Sequence, residues 1–335
     1  MNAAEILAIP LTEPERLFFS ADIIAARFKA LAMDWHPDRG GDAKVFAHIN
    51  VLKAEAEKKA AAGIWETPGL LELRSVGGTK LILKFKKRMT VDVGEMLIGR
   101  ASTAFLVKSA YKDLARNGLF RLAAKWKFPS KEIEEINRKF IPVVAAQNET
   151  PDCRVVVFVR APNDILARDL LAHLGGKMDP RHVAWVISSL MNAACLFEYN
   201  GIAHNGITMD TVFISPEFHS AFPVGGWWYG QLLGHEVKYL PPALVRLKGL
   251  LKDKKADGRL DREAIRTVAL TLLGDASGHT LVLDKAVPKP MLTYLRMPAT
   301  RTAVEDYAAW EKARDASFGP RKFVDLPVKG SEIYT

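Results

Sequence analysis

Two stretches near the start of the chain carry apolar residues at a three-to-four spacing. Ile24, Phe28, Leu31 and Trp35 form the first, and Phe46, Ile49, Leu52 and Ala56 the second. Each predicts an amphipathic helix, and two such faces joined by a short loop bury one another as an antiparallel pair. Pro37 in the joining segment lacks an N–H and disfavours helical geometry at His36. Gly40-Gly41 lets the backbone turn, and Asp42 is suited to cap the next helix. A His and an Asp are therefore expected at the tip of a helical hairpin, facing solvent. Residues 53–62 continue the second helix, Gly63 is expected to end it, and Thr67-Pro68-Gly69 marks a boundary. Residues 70–73 and 81–85 flank Gly77-Gly78 as a hairpin. Strands are predicted at 96–98, 104–107, 119–126, 141–145 and 155–159, with a helix at 130–140. Long helices are predicted at 165–174 and 180–199. A strand-rich half followed by a helix-rich half predicts two lobes with a groove between them.

The sequence His36-Pro37-Asp38-Arg39-Gly40-Gly41, set between two helices and followed by Phe46-Ala47 and Ile49-Asn50, resembles the J domain of DnaJ-type co-chaperones. The resemblance covers about the first sixty residues, and Glu5-Ile6-Leu7 is similar to the family's short first helix. It implies docking onto a DnaK-type ATPase and stimulation of its ATP hydrolysis. The resemblance gives Asp38 an Arg of that ATPase as partner and has Lys29 and Arg27 meet its acidic surface. Two positions depart from the family pattern: Asp34 stands where a basic residue is usual, and Lys53 where an aromatic is common.

A more diffuse resemblance, to protein kinases, runs from about residue 91 to 325. The segment Ile98-Gly99-Arg100-Ala101-Ser102-Thr103-Ala104 is similar to the Gly-rich phosphate loop. Ala123-Ala124-Lys125 is similar to the strand carrying the ATP-contacting Lys, with Glu134 or Glu135 on the 130–140 helix as its partner. Asn200-Gly201-Ile202-Ala203-His204-Asn205-Gly206, followed by Val212-Phe213-Ile214, resembles the catalytic loop, and Tyr239-Leu240-Pro241-Pro242 resembles the end of an activation segment. Residues 260–274 resemble the central helix of the large lobe. Phosphoryl transfer needs groups that neutralise phosphate charge, usually a Lys and magnesium, and one that orients the acceptor. The resemblance puts the loop's Asp at Gly206 and its metal-binding Asn at Thr211. Gly225-Gly226-Trp227-Trp228-Tyr229-Gly230 stands where the metal-binding Asp is expected, and Ala101 and Ala104 replace phosphate-loop glycines. The expectation is a pseudokinase and no enzyme, with no catalytic residue, no metal ligand and no required cofactor; ATP binding is not favoured. Asp210 and Glu217 are the acids that would return a carboxylate to the groove, each being read first as a solvated loop residue, while His204 is expected to brace the loop. Trp227, Trp228 and Tyr229 are expected in the core, the alternatives being a plug in the groove or a peptide-binding surface.

Composition adds bounds. The chain has 335 residues and a net charge of +9, of which residues 1–60 carry −1 and the remainder +10. The densest basic cluster, Lys80, Lys84, Lys86, Lys87 and Arg88, alternates with Leu81, Leu83 and Phe85, as in a half-buried strand with a wet Lys face. Nucleic acid is therefore a less favoured partner. Cys153 and Cys195 give neither a disulfide framework nor a zinc spacing. No secretory signal or membrane span is read, and the cytoplasm is the expected setting. The expected fold class is α+β in two domains: an all-α J-type hairpin (1–62), a linker with a strand hairpin (63–90), a bilobal kinase-like domain (91–325) and a tail (326–335). The leading functional expectation is a co-chaperone or adaptor that stimulates a DnaK-type ATPase while the second domain holds a client protein. The alternatives are a divergent nucleotide-using transferase employing Lys125 and Asp210, and a nucleic-acid-associated adaptor.

Overall fold

Asn2 and Glu5 close a reciprocal capping box around the first turn, each side chain accepting the other residue's backbone N–H, and α1 (Ala3–Leu7) follows. The computed structural model describes residues 1–334 apart from residues 20, 63, 64, 66–68, 301 and 321. The helix end read at Gly63 and the boundary read at Thr67-Pro68 lie outside the described residues. After α2 (Glu15–Phe18), α3 (Ile24–Trp35) leads to the Pro37 turn and α4 (Ala43–Ala61) leaves it, as the spacing predicts. Ile6, Leu17, Phe18, Ile24, Leu31, Ile49, Leu52 and Ala56 bury one another. Lys59 fastens α4 to the segment before α3, donating to Glu15 and to the Thr12 carbonyl, both at 2.7 Å.

A two-stranded sheet of β1 (Gly69–Arg74) and β2 (Lys80–Phe85) comes next. Exposure alternates along β2 with the lysines outward, as predicted. The chain then divides into two compact units. One is Met1–Glu72 with Ile82–Lys87 and Tyr334; the other is Leu73–Leu81 with Arg88–Ile333.

The larger unit opens on β3 (Lys87–Val91), β4 (Gly94–Ile98) and β5 (Ser102–Lys108), continues through α5 (Lys112–Leu122) and α6 (Lys131–Asn137), and returns as β6 (Val144–Glu149) and β7 (Cys153–Val159). The sheet order is β3-β4-β5-β7-β6, with the pairs around β5 and β7 antiparallel. Then follow β8 (Ile165–Leu166), α7 (Ala167–His173), α8 (Pro180–Tyr199), β9 (Ile202–Ala203), β10 (Val212–Ser215), β11 (Ser220–Pro223), β12 (Gln231–Leu232), α9 (Arg259–Leu272), α10 (Lys289–Arg296), α11 (Ala303–Phe318) and α12 (Gly330–Ile333). Helix α8 is the axis of this half, packed against α9, α11 and β11. Buried charges pin the helices together: Arg266 pairs with Asp306 at 2.6 Å, and Arg262 with Glu198 at 2.5 Å.

Four predicted elements need correction. Residues 119–126 form no strand: α5 ends at Leu122, and its buried Ala115, Gly118 and Leu122 follow a helical spacing that a short apolar run conceals. The strand read at 141–145 lies instead at Val144–Glu149, an edge strand whose polar residues show no apolar alternation. The helix read from 165 starts with two residues of strand. The stretch read as a tail packs on its own unit, with Leu326 and Val328 buried and Gly330 against the Pro162 carbonyl.

Candidate functional site: a hairpin apex and an aromatic-filled groove

The apex of the α3–α4 hairpin is built by backbone chemistry. Helix α3 ends when His36 turns extended, its N–H still reaching the Ala32 carbonyl. The His36 carbonyl then accepts the N–H groups of Arg39 (2.9 Å) and Gly41 (3.1 Å), and its ring Nδ1 accepts the Asp38 N–H at 3.2 Å. The imidazole thereby braces the turn. Its ring also meets Phe46 edge-on at 4.8 Å, which ties the apex to α4. Gly40 takes a left-handed φ of 84°. At Gly41 a Cβ would fall 2.2 Å from the Trp35 carbonyl carbon, so only glycine fits between the two helix ends. Asp42 caps α4 through the Lys44 and Val45 N–H groups.

These contacts leave the Asp38 carboxylate 87 % exposed on the turn, 3.7 Å from the His36 Nδ1. Lys29 is exposed on α3. Arg27 is more engaged: it donates to the Leu17 carbonyl and its guanidinium lies over the Phe19 ring at 5.1 Å.

In the larger unit the segment after α8 is anchored from beneath. Both oxygens of the buried Asp261 accept backbone N–H groups, those of His204 and Asn205, each at 2.7 Å. Burial nevertheless pushes the Asp261 carboxyl up to about 6, outweighing the two N–H groups and the Arg262 charge that work against it. Asp261 escaped the sequence reading, its one signal being an acid in the first turn of the amphipathic helix α9. His204 is fully buried, stacked on Phe197 and edge-on to Trp227 at 4.6 Å. Its Nδ1 accepts the Gly206 N–H, and burial drives the imidazole down to about 3.

Gly206 has no room for a side chain: a Cβ would come 2.7 Å from the Gly226 carbonyl and 3.1 Å from the Tyr229 ring. Thr211 is taken up by the loop itself, donating to the Gly206 carbonyl at 2.6 Å and accepting the Thr208 N–H. Trp227, Trp228 and Tyr229 are buried. Trp228 meets Phe105 of β5, and the Tyr229 hydroxyl donates to Asp92, in the β3–β4 turn, at 2.6 Å. Aromatic side chains thus fill the space between the sheet and the loop.

The remaining groove residues predicted from sequence do not gather there. The turn around Gly99 and Ala101 presents carbonyls inward: the buried Arg160 guanidinium donates to Gly99 and Arg100. A phosphate loop needs N–H groups in that place, and Ala104 lies within β5 as a sheet residue. Lys125 is exposed on the coil beyond α5, Glu135 is exposed on α6, and no ion pair joins them. Asp210 is half-exposed and 3.0 Å from Arg168. Burial raises its carboxyl, with the Arg168 charge working against that and Asp92 and Asp169 adding to it. Among the described residues no group of three His, Cys, Asp or Glu side chains is placed to hold a metal ion, and no helix is long and apolar enough to cross a membrane.

No family model matches the chain, and no curated protein does. Many solved structures do. Among them is a chain described as vaccinia related kinase 3, with 15 % identity and a TM-score of 0.49 over 73 % of this chain and 91 % of that one. The likeness is one of fold, and it lends no support to the expectation that the chain is no enzyme. None of these comparisons supports the J-type resemblance of the small unit, which stands on its own residues.

Proposed function

We propose that the helical unit docks onto a DnaK-type ATPase through the hairpin apex and stimulates its ATP hydrolysis. One observation carries this reading. The Asp38 carboxylate stands 87 % exposed on a turn immobilised by His36, Gly41 and the Asp42 cap. A pre-positioned anion loses little freedom when it meets a guanidinium, so most of its interaction energy is kept for binding. Lys29, exposed on the same hairpin, supports contact with an acidic surface. Each residue has a separate share: His36 holds the turn, Pro37 ends α3, and Asp38 makes the contact.

The test is the steady-state ATPase rate of a DnaK-type protein with and without the full chain. Asp38→Asn should lower the stimulation by about tenfold or more, the loss expected when one partner of a desolvated charge pair is removed, and His36→Gln should lower it too, by loosening the turn that holds Asp38. Stimulation unchanged by both substitutions would overturn the reading.

A second reading concerns the larger unit as a divergent nucleotide-using transferase, supported by Asp210, on the loop that Asp261 anchors, and its pairing at 3.0 Å with Arg168 of α7. Here Asp210 would orient the acceptor and Arg168 would meet phosphate charge. Lys125, exposed beyond α5, has no part in it. Incubation with labelled ATP and magnesium should show label transfer that falls by about 10²-fold or more in Asp210→Asn. Absence of transfer by the unaltered chain, or equal transfer by the variant, would dispose of this reading.

A further inference from the structure

Behind α8, away from the aromatic-filled groove, the larger unit encloses a second concave site of about 400 Å³, within the size range of small-molecule pockets. Helix α8 forms its floor with Trp185 and Asn192; the end of α6 and the following turn supply Phe140 and Lys139; α11 and the chain after it supply Tyr307 and Lys322. Two properties set this cavity apart. Its body is aromatic, and no Asp or Glu is among the described residues that line it, although four cationic side chains do.

Those cations differ. Arg181 is held by Asp179 at 2.7 Å, and Arg314 by Asp315 at 2.8 Å and Glu311 at 3.5 Å. Lys139 and Lys322 have no carboxylate partner among the described residues. The Lys139 ammonium rests over the Phe140 ring at 5.5 Å, and burial holds its pKa below the ordinary lysine value. A cation on the rim with only a ring face for company gains from an anion placed beside it.

The wall also contains unspent polar atoms. The Trp185 indole N–H and the His219 Nε2 are buried without a hydrogen-bond partner among the described residues. Their rings stack face to face, 5.1 Å apart and within 2° of parallel, and Phe323 continues the stack at 4.2 Å from His219. Parallel rings of this kind offer a flat aromatic edge to a planar guest. The Asn192 side chain, bridging the Ser188 carbonyl and the Tyr307 hydroxyl, gives the floor a fixed polar point.

We propose that this cavity binds a small molecule with a planar ring body and one anionic head, a phosphate or carboxylate, the ring lying along the Trp185 wall and the head between Lys139 and Lys322. The site uses none of the residues assigned to the apex or to the Asp210 loop, so it stands or falls independently of the functions proposed above.

The probes are 1-naphthyl phosphate and its neutral counterpart 1-naphthol, titrated into the full chain by calorimetry and by tryptophan fluorescence. The phosphate should bind saturably and about tenfold or more tighter than the alcohol, because a charge-assisted contact is available to it alone. The double change Lys139→Gln and Lys322→Gln, which alters only the rim, should bring the two affinities together. Trp185→Phe should abolish most of the fluorescence change while retaining binding, which assigns the signal among the seven tryptophans of the chain. No saturable binding of the phosphate up to the millimolar range would overturn the proposal. So would equal affinities for the two probes, or a double-lysine variant that binds the phosphate as the unaltered chain does.

Discussion

His204 and Asp261 illustrate how burial shifts two residues in contact in opposite directions. The backbone N–H of His204 goes to Asp261, while its ring accepts the Gly206 N–H and lies between Phe197 and Trp227. Protonating that ring would break the Gly206 bond and place a charge among aromatics. Its folded pKa of about 3 lies below the ordinary 6.5, so its contribution to stability is fully present above pH 6.5 and is lost as pH falls through 3. Asp261, raised to about 6 from 3.8, works in the opposite sense: its titration favours the fold below pH 3.8, and that contribution is lost as pH rises through 6. His204→Phe retains a ring and removes one of the two titrations. Urea unfolding midpoints at pH 7 and pH 4 should therefore fall less on acidification in the variant than in the unaltered chain. An equal fall would show that His204 is not the acid-sensitive group. In the sequence, His204 was legible as a brace because it sits in a motif. Asp261 was not, because an acid in the first turn of a helix has an ordinary surface use near the dipole, and only the fold turns this one inward.

At the scale of elements, α5 decides how the aromatic segment is held. Gly118 on its buried face lies against the backbone of residues 227 and 228, and a Cβ there would stand 2.3 Å from the Trp227 carbonyl oxygen. Gly118→Ala gains about 1 kcal/mol of helix propensity. It also forces the helix off the Trp227–Tyr229 turn, an overpacking that costs about 1–3 kcal/mol. Thermal unfolding should show a lower midpoint for the variant; a higher one would mean that α5 does not press on that turn. Sequence periodicity recovered α3 and α4, whose apolar stripes are long enough for the period to show, while α8 was read from its long apolar run and α9 through the kinase resemblance. It misread α5 because 119–126 is short and apolar on more than one side, Phe120 being 80 % exposed and Leu122 buried. It also passed over β3, where Lys87 and Arg88 give a strand the look of a linker.

At the scale of the molecule, the division into a small helical unit and a larger mixed unit follows the change in pattern along the chain, although the structure draws it through the β1–β2 hairpin at Glu72, Leu81 and Lys87. The sequence by itself determined the hairpin apex: Pro37, Gly40, Gly41 and Asp42 act through local backbone geometry, which needs no distant partner. It also pointed to the loop after α8, where a short motif meets a short apolar strand. Only the tertiary structure decided what faces what in the larger unit. That Arg160 fills the turn at Gly99, that Phe105 and Trp228 meet across the groove, and that Lys139 and Lys322 edge one aromatic cavity are contacts between residues dozens to nearly two hundred positions apart. Local periodicity reports which face of an element is apolar. The partner for that face is chosen by packing the whole chain at once.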